Sequence, residues 1–307
     1  MAAGQADMRE ERTGTLAGLA CYILWGLFPL YWKMLVDVNS IEIICHRIIW
    51  CFATAIVVCA VLRLHPYRLL SNRRGWAHLL PAALIIATNW GMYIWGVNNG
   101  YVVEAALGYY INPLVSVLIG RVAFKERLTP MQCIAVVLCT LGVTYFTVSY
   151  GRFPWLAFAL AISFGVYGAI KKHGGYPSFE ALAVENTITL PIAIGLAITV
   201  AHITGTHAFF GDVSSVAGWK TTALLILGGP VTAIPLMLFS AAANKIPLAS
   251  LGFIQYVSPT LQLIIGVFVF GEPFTLAHAV CFACIWAGLS FVVADAALRY
   301  RAGLRAS

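Results

Sequence analysis

Charge is what this sequence has least of. Asp, Glu, Lys and Arg supply 10% of its 307 residues while 61% are hydrophobic, against about a quarter charged in an average soluble domain. So few polar side chains cannot cover a soluble globule, and the chain reads as a membrane protein. Long polar connections are also missing. Apolar runs of the roughly 20 residues that cross a bilayer as a helix follow one another with short gaps. The net charge of +7 is scattered over those gaps and builds no basic face, so no nucleic-acid partner is expected. Cys281 and Cys284 form a CxxC with His278 one turn earlier, but there is no second CxxC. All eight cysteines sit in apolar runs, where a thiol behaves as a small hydrophobe, so helix packing is favoured over a metal or redox site and no disulfide is implied. No His, Asp or Glu spacing converges on a reaction centre. Catalytic residues, metal ligands and cofactors are therefore not assigned, and an integral membrane enzyme acting on a lipid-soluble substrate is the rival class.

What is there is a series of ten apolar spans, 15–33, 41–62, 77–98, 103–122, 131–149, 154–171, 180–201, 219–242, 248–270 and 276–297. With the N-terminus placed in the cytoplasm, fifteen of the nineteen Lys and Arg fall in inside segments. Lys33, Arg152 and Lys220 fall outside, and Arg47 lies within a span. That asymmetry predicts ten helices with both termini cytoplasmic.

The spans repeat. Pro113, Gly120, Phe124, Glu126, Thr129 and Gly142 recur at one offset as Pro259, Gly266, Phe270, Glu272, Thr275 and Gly288. Leu107-Gly108 matches Leu251-Gly252 after a two-residue slip, and Gly26 and Lys33 match Gly165 and Lys172 more weakly. The expected fold is an all-α polytopic membrane protein whose ten transmembrane helices form two inverted five-helix repeats, 15–149 and 150–297. A cytoplasmic segment, 1–14, and a cytoplasmic tail, 298–307, flank them. Five is odd, so the second copy must be upside down. The loop that holds Arg121, Lys125 and Arg127 inside accordingly has Val267, Gly271 and Pro273 outside. Inverted repeats with proline at matching places point to an alternating-access site near the membrane midplane, with Pro113 and Pro259 as the hinge or kink pair.

Most of the polar groups the spans retain lie between Asn89 and Pro113. Asn89 and Tyr93 share one face of the third span; Trp90 lies deeper than Trp95, and Asn98 closes the span. On the fourth, Glu104, Gly108 and Asn112 recur at i, i+4 and i+8, flanked by Tyr109 and Tyr110. Such groups are costly in hydrocarbon unless they face a bundle interior or a wet cavity. Close packing through glycine, with an interfacial aromatic belt, is the plainer alternative. Cavity lining is favoured because Pro113 frees a backbone carbonyl where Asn112 supplies an amide. In the second span Glu42, His46 and Trp50 share a face with Arg47 beside it. Arg47 either snorkels to the headgroups or forms an internal ion pair with Glu104 or Glu42. In the second half Tyr167, Glu185, Asn186, Gln255, Ser258 and Gln262 are the corresponding candidates. The expected substrate pathway is Arg47, His46, Asn89, Trp90, Tyr93, Asn98, Glu104, Tyr109, Asn112, Tyr167 and Gln255. Glu42, His46, Glu104 and Glu185 are the possible proton carriers. Helices three, four, eight and nine are expected to line most of the cavity.

The stretches NWGMYIWGVNNGYVVEAALGYYINPL, AGLACYILWGLFPLYWK, EIICHRIIW and LGFIQYVSPTLQLIIGVFVFGE closely resemble the EamA family of the drug/metabolite transporter superfamily. The likeness covers essentially the whole chain. Its first run is specific, whereas the Pro-Gly-Glu spacing of the repeat belongs to the wider superfamily. The resemblance implies a central cavity between inverted repeats and export or exchange of small metabolites across the bacterial inner membrane. The cargo it suggests is a small amphiphilic molecule, amino-acid-like or drug-like. The expected partners are that small-molecule substrate and membrane lipid, with the protein acting as a monomer or homodimer.

Overall fold

The computed structural model describes residues 2–98, 101–204, 208–211, 216–271 and 274–306. Among these there is no strand. The helices are α1 (Ala2–Lys33), α2 (Ser40–Val61), α3 (Arg73–Asn98), α4 (Val102–Ala123), α5 (Pro130–Ser149), α6 (Trp155–Gly174), α7 (Ser178–Thr204), α8 (Val216–Lys245), α9 (Leu248–Gln255), α10 (Val257–Phe268) and α11 (Leu276–Ala306). A short 3-10 turn, Pro66–Leu70, precedes α3. Nine spans among the described residues are long and apolar enough to cross a membrane, with α9 and α10 together forming one of them, Leu248–Phe268. The tenth crossing is α3, whose 26 residues suffice in length and whose apolar run is interrupted by Asn89, Trp90 and Tyr93.

Local chemistry sets several of the ends. Thr129 and Gln132 cap α5 reciprocally, each side chain taking the other's backbone N–H, with Pro130 in the first turn, where its missing N–H costs nothing. Asn39 caps α2 by accepting from the Ile41 amide at 2.9 Å. Gly175, at φ +62°, closes α6 in the left-handed conformation that suits glycine.

The ninth span departs from expectation. Instead of one helix over 248–270, α9 stops at Gln255 and α10 starts at Val257. Pro259 has no N–H to donate to the Gln255 carbonyl, and its ring crowds that group. Its repeat mate Pro113 leaves α4 continuous from Val102 to Ala123, so the two prolines act unequally.

The repeat is visible in the packing. Each of three helices in the first half lies on its own counterpart: α2 on α7, α4 on α9, and α5 on α11. The remaining major contacts exchange in pairs, α1 on α8 with α6 on α3, α2 on α8 with α7 on α3, and α1 on α9 and α10 with α6 on α4. Single residues obey the same rule. A Cβ added to Gly26 would lie 2.7 Å from Leu261, and one added to Gly165 would lie 2.8 Å from Val115, which is Leu261's counterpart at the repeat offset. Gly142 packs on Cys281 and Cys284, while Gly288 packs on Ala135 and Cys139. The CxxC is thus a packing face of the α5–α11 pair, and no cluster of three metal-ligating side chains occurs among the described residues. Ten crossings leave both termini at one end of the bundle, called here the terminal end.

Candidate functional site

A cavity of about 250 Å³ lies between the halves, walled by α1, α2, α3, α4, α6, α8, α9 and α10. It reaches from Tyr22 and Leu236 in the middle of the bundle to Trp32 and Ala105 near the end opposite the termini. α1 supplies Tyr22, Trp25, Pro29 and Trp32, spaced i, i+3, i+7 and i+10 on one helical stripe. Pro29 leaves the Trp25 carbonyl without its intrahelical donor. Gln262 replaces it from α10: its Nε2 donates to Trp25 O and to Ser258 Oγ, both at 3.2 Å.

From α2, Arg47 projects between two indoles. Its guanidinium carbon lies 4.9 Å from the Trp32 ring centroid and 4.6 Å from that of Trp90, and its Nε donates to Thr232 Oγ1 at 3.1 Å. α8 can approach this closely because Gly228 and Gly229 face α2; a Cβ on Gly229 would fall 2.4 Å from the Trp50 backbone. Tyr93 of α3 and Tyr109 of α4 meet edge to face at 6.0 Å between ring centroids. Asn89 lines the cavity but also joins two helices, its Nδ2 donating to Leu160 O at 2.9 Å and Ser163 Oγ at 2.8 Å on α6. Gln255 accepts from the Tyr22 hydroxyl at 3.5 Å, the outer limit of such a bond. Asn112 is buried, and its Oδ1 has no hydrogen-bond partner among the described residues.

Arg47, Asn89, Trp90, Tyr93, Tyr109, Asn112, Gln255 and Pro259 therefore share one chamber. Other residues named from sequence do not line it. Glu104 is fully buried at the start of α6, where Oε2 accepts the Leu156 amide at 3.2 Å and Oε1 accepts the Tyr150 hydroxyl at 3.2 Å and Arg152 at 3.1 Å. Hydrogen bonding to Tyr150, with the Glu104 charge adding to it, holds the exposed Arg152 above its ordinary pKa, so it stays cationic there. Glu42 accepts the Ala208 and Phe209 amides at 2.7 and 3.2 Å. Neither carboxylate is the partner of Arg47. His46 packs against Phe209 with ring centroids 4.5 Å apart and the rings tilted by 33°. Glu185 takes Lys171 at 2.6 Å and the Tyr167 hydroxyl at 3.1 Å, a buried cluster on the α6–α7 contact. Pro113 lies outside the cavity, its carbonyl 2.8 Å from where a Cβ on Gly252 would sit. The side chain of Asn98 lies outside the described residues.

On the terminal side the cavity is sealed. Tyr167 stacks on Phe239, which in turn touches Trp25. Below that layer, Glu126 accepts the first amides of α9, Leu248 at 2.8 Å and Ala249 at 2.9 Å, and pairs with Lys172 at 3.4 Å. The Lys172 ammonium also donates to Ile246 O at 2.7 Å. What the sequence reading overlooked is the contribution of α1 and α6: the Tyr22-to-Trp32 stripe and Phe164. The signal was present as the regular spacing of the stripe.

Comparison with known proteins follows the same division into halves. A sequence profile of the EamA-like transporter family matches residues 12–148 and again residues 153–294. An uncharacterised transporter of Bacillus subtilis, YojE, is 41% identical over 285 residues, covering 91% of this chain and 93% of its own. Protein RarD of Streptomyces exfoliatus is 40% identical over 306 residues, with 97% and 94% coverage. Protein RarD of Escherichia coli is 36% identical over 292 residues, with 94% and 97% coverage. A solved crystal structure with 18% sequence identity superposes with a TM-score of 0.70 over 91% of this chain and 96% of the other, a likeness of fold.

Proposed function

Because the chain belongs to the EamA-like transporter family, and so is a multi-pass membrane transporter, we propose that its central cavity carries a small amphiphilic metabolite, amino-acid-like or drug-like, by alternating access. The observation that supports this most is the cavity itself. It has aromatic walls, a few convergent polar groups and one cation, the composition expected where an apolar body must be oriented by a few polar contacts. At about 250 Å³ it lies just below the range that suits drug-sized ligands, which favours a small cargo.

The terminal end is sealed by the Glu126–Lys172 contact and the Tyr167–Phe239 layer, while the cavity extends toward the other end. With both termini in the cytoplasm of a bacterium, as the Lys and Arg distribution supports, this is the outward-facing half of the cycle in the inner membrane. The cycle then runs as an exporter or exchanger, and its switch is a rocking of the two halves about the chamber, with the break between α9 and α10 as the natural hinge. The partners are the cargo and the surrounding lipid. Since one chain encloses the whole cavity, a monomer suffices and a homodimer adds nothing to the site.

The test is reconstitution. Purified protein in liposomes, offered a bacterial small-molecule extract, should accumulate a limited set of compounds read by mass spectrometry. Trp90→Ala should lose that accumulation while remaining a folded, monodisperse protein. Accumulation no greater than in protein-free liposomes would overturn the proposal.

A further inference from the structure

Arg47 is the one formally charged side chain among those lining the cavity, and no carboxylate lies within ion-pair distance of it among the described residues. Its contacts there are Thr232 and the faces of Trp32 and Trp90. Together they occupy one of the guanidinium's five N–H donors and leave the paired Nη edge unbonded. Indole faces compensate a cation only in part, so a half-buried guanidinium inside the bundle without a counter-ion is an unfinished interaction. The described acidic residues at that end of the bundle do not finish it: Asp37 is exposed in the connection between α1 and α2 and forms no ion pair with Arg47. Glu104 is committed to Arg152, Tyr150 and the Leu156 amide, and Glu42 to the Ala208 and Phe209 amides. A second open valence lies in the same chamber: the buried Asn112 Oδ1, an acceptor with no donor.

We infer that the cargo is a monocarboxylate with an apolar, preferably aromatic, body and a hydrogen-bond donor, its carboxylate seated on the Nη edge of Arg47 and its donor facing Asn112. This rests on the transporter reading for its meaning but not for its test. Charge balance selects the ligand class. One carboxylate neutralises one guanidinium and matches its fork geometry with two parallel bonds. A phosphate monoester near neutral pH would bring a second negative charge into an apolar chamber that offers it no second cation. A neutral or cationic amphiphile would leave Arg47 uncompensated.

The indoles flanking Arg47 give a direct readout, tryptophan fluorescence of the purified full-length protein. Four phenyl compounds separate the possibilities: 3-phenyllactate (carboxylate and hydroxyl), 3-phenylpropionate (carboxylate alone), 3-phenylpropionamide (its neutral isostere) and phenyl phosphate. The expected order of affinity is 3-phenyllactate, then 3-phenylpropionate, then the other two. Arg47→Gln should weaken the two carboxylates by about 30-fold or more and leave the amide unchanged, the loss expected when one partner of a hydrogen-bonded charge pair is removed. Asn112→Ala should abolish the preference for 3-phenyllactate over 3-phenylpropionate. If Arg47→Gln fails to fold, Arg47→Lys, which keeps the charge but not the fork, should still lose affinity for carboxylates relative to the amide. Binding of the amide or the phosphate as tightly as the carboxylates, or no binding of either carboxylate, overturns the inference. In that event, accumulation of other compounds in the proteoliposome assay would leave the transporter reading standing.

Discussion

Glu126 and Lys172 meet at 3.4 Å beneath the cavity, and the same carboxylate receives the Leu248 and Ala249 amides that begin α9. A carboxylate at a helix N-terminus satisfies orphan donors and faces the positive end of the helix dipole. Since α9 is eight residues long and ends at a break, this contact holds the whole half-helix from below. The opposite end carries the repeat-related pair: the Lys33 ammonium lies 4.3 Å from the Phe270 ring centroid, as Lys172 lies 5.5 Å from that of Phe124.

Replacing Glu126 by Gln should loosen that hold. Hydrogen bonds to a charged group contribute about 1.5–3 kcal/mol, so amide exchange at Leu248 and Ala249 should accelerate by roughly 10- to 100-fold, measured by hydrogen–deuterium exchange mass spectrometry. Unchanged protection would mean that other contacts fix α9.

Gly229→Ala should destabilise the fold, because its Cβ would meet the Trp50 backbone at 2.4 Å and backbone cannot rotate away. A loss of about 1–3 kcal/mol is expected for such overpacking, read as a lower midpoint of thermal unfolding in detergent. Gly91→Ala and Gly195→Ala, where nothing lies within 4 Å of the added carbon, should leave the midpoint unchanged or raise it.

Pro29 and Gln262 should be coupled. Gln262→Ala strips the Trp25 carbonyl of its donor and should cost about 1 kcal/mol. Pro29→Ala restores an intrahelical N–H to the same carbonyl, so in that background the cost should shrink. A double-mutant cycle on unfolding free energy measures the difference, and strict additivity would show that the two residues do not share the carbonyl.

Asn89 and Asn112 line the same chamber but should respond oppositely to alanine. Asn89→Ala loses two bonds from α3 to α6 and should lower stability by about 1–2 kcal/mol. Asn112→Ala removes an acceptor that no group among the described residues uses, so stability should hold while transport falls. Parallel unfolding and flux measurements on the two variants separate structure from cargo recognition.

The ten spans, their division into two inverted halves and the polar stretch from Asn89 to Asn112 were legible because hydropathy, charge bias and a constant repeat offset are properties of the linear chain; which helices pack on which was not. Nor were the ion pairs. Depth along a span made Glu104 and Glu42 look like partners for Arg47, but each carboxylate is used by backbone amides, and Glu104 also by the connection that holds Tyr150 and Arg152. Backbone donors leave no trace in composition. Pro113 and Pro259 look equivalent in sequence and differ in effect because long-range contacts favour the second break: Glu126 grips the start of α9, and the Tyr256 hydroxyl reaches the Tyr110 carbonyl at 3.3 Å. The α1 stripe escaped notice because Trp and Tyr near the ends of spans ordinarily read as interfacial anchors.

The central claim, a wet chamber reached from one face at a time, is tested most directly by thiol accessibility at a cavity position. Ser258→Cys is nearly isosteric, and its side chain lines the chamber. In oriented vesicles a membrane-impermeant maleimide should label it, above the background of the native cysteines, from the face opposite the termini. Adding Glu126→Gln should open labelling from the terminal face. No labelling from either face, or equal labelling from both without the Glu126 change, would contradict the account.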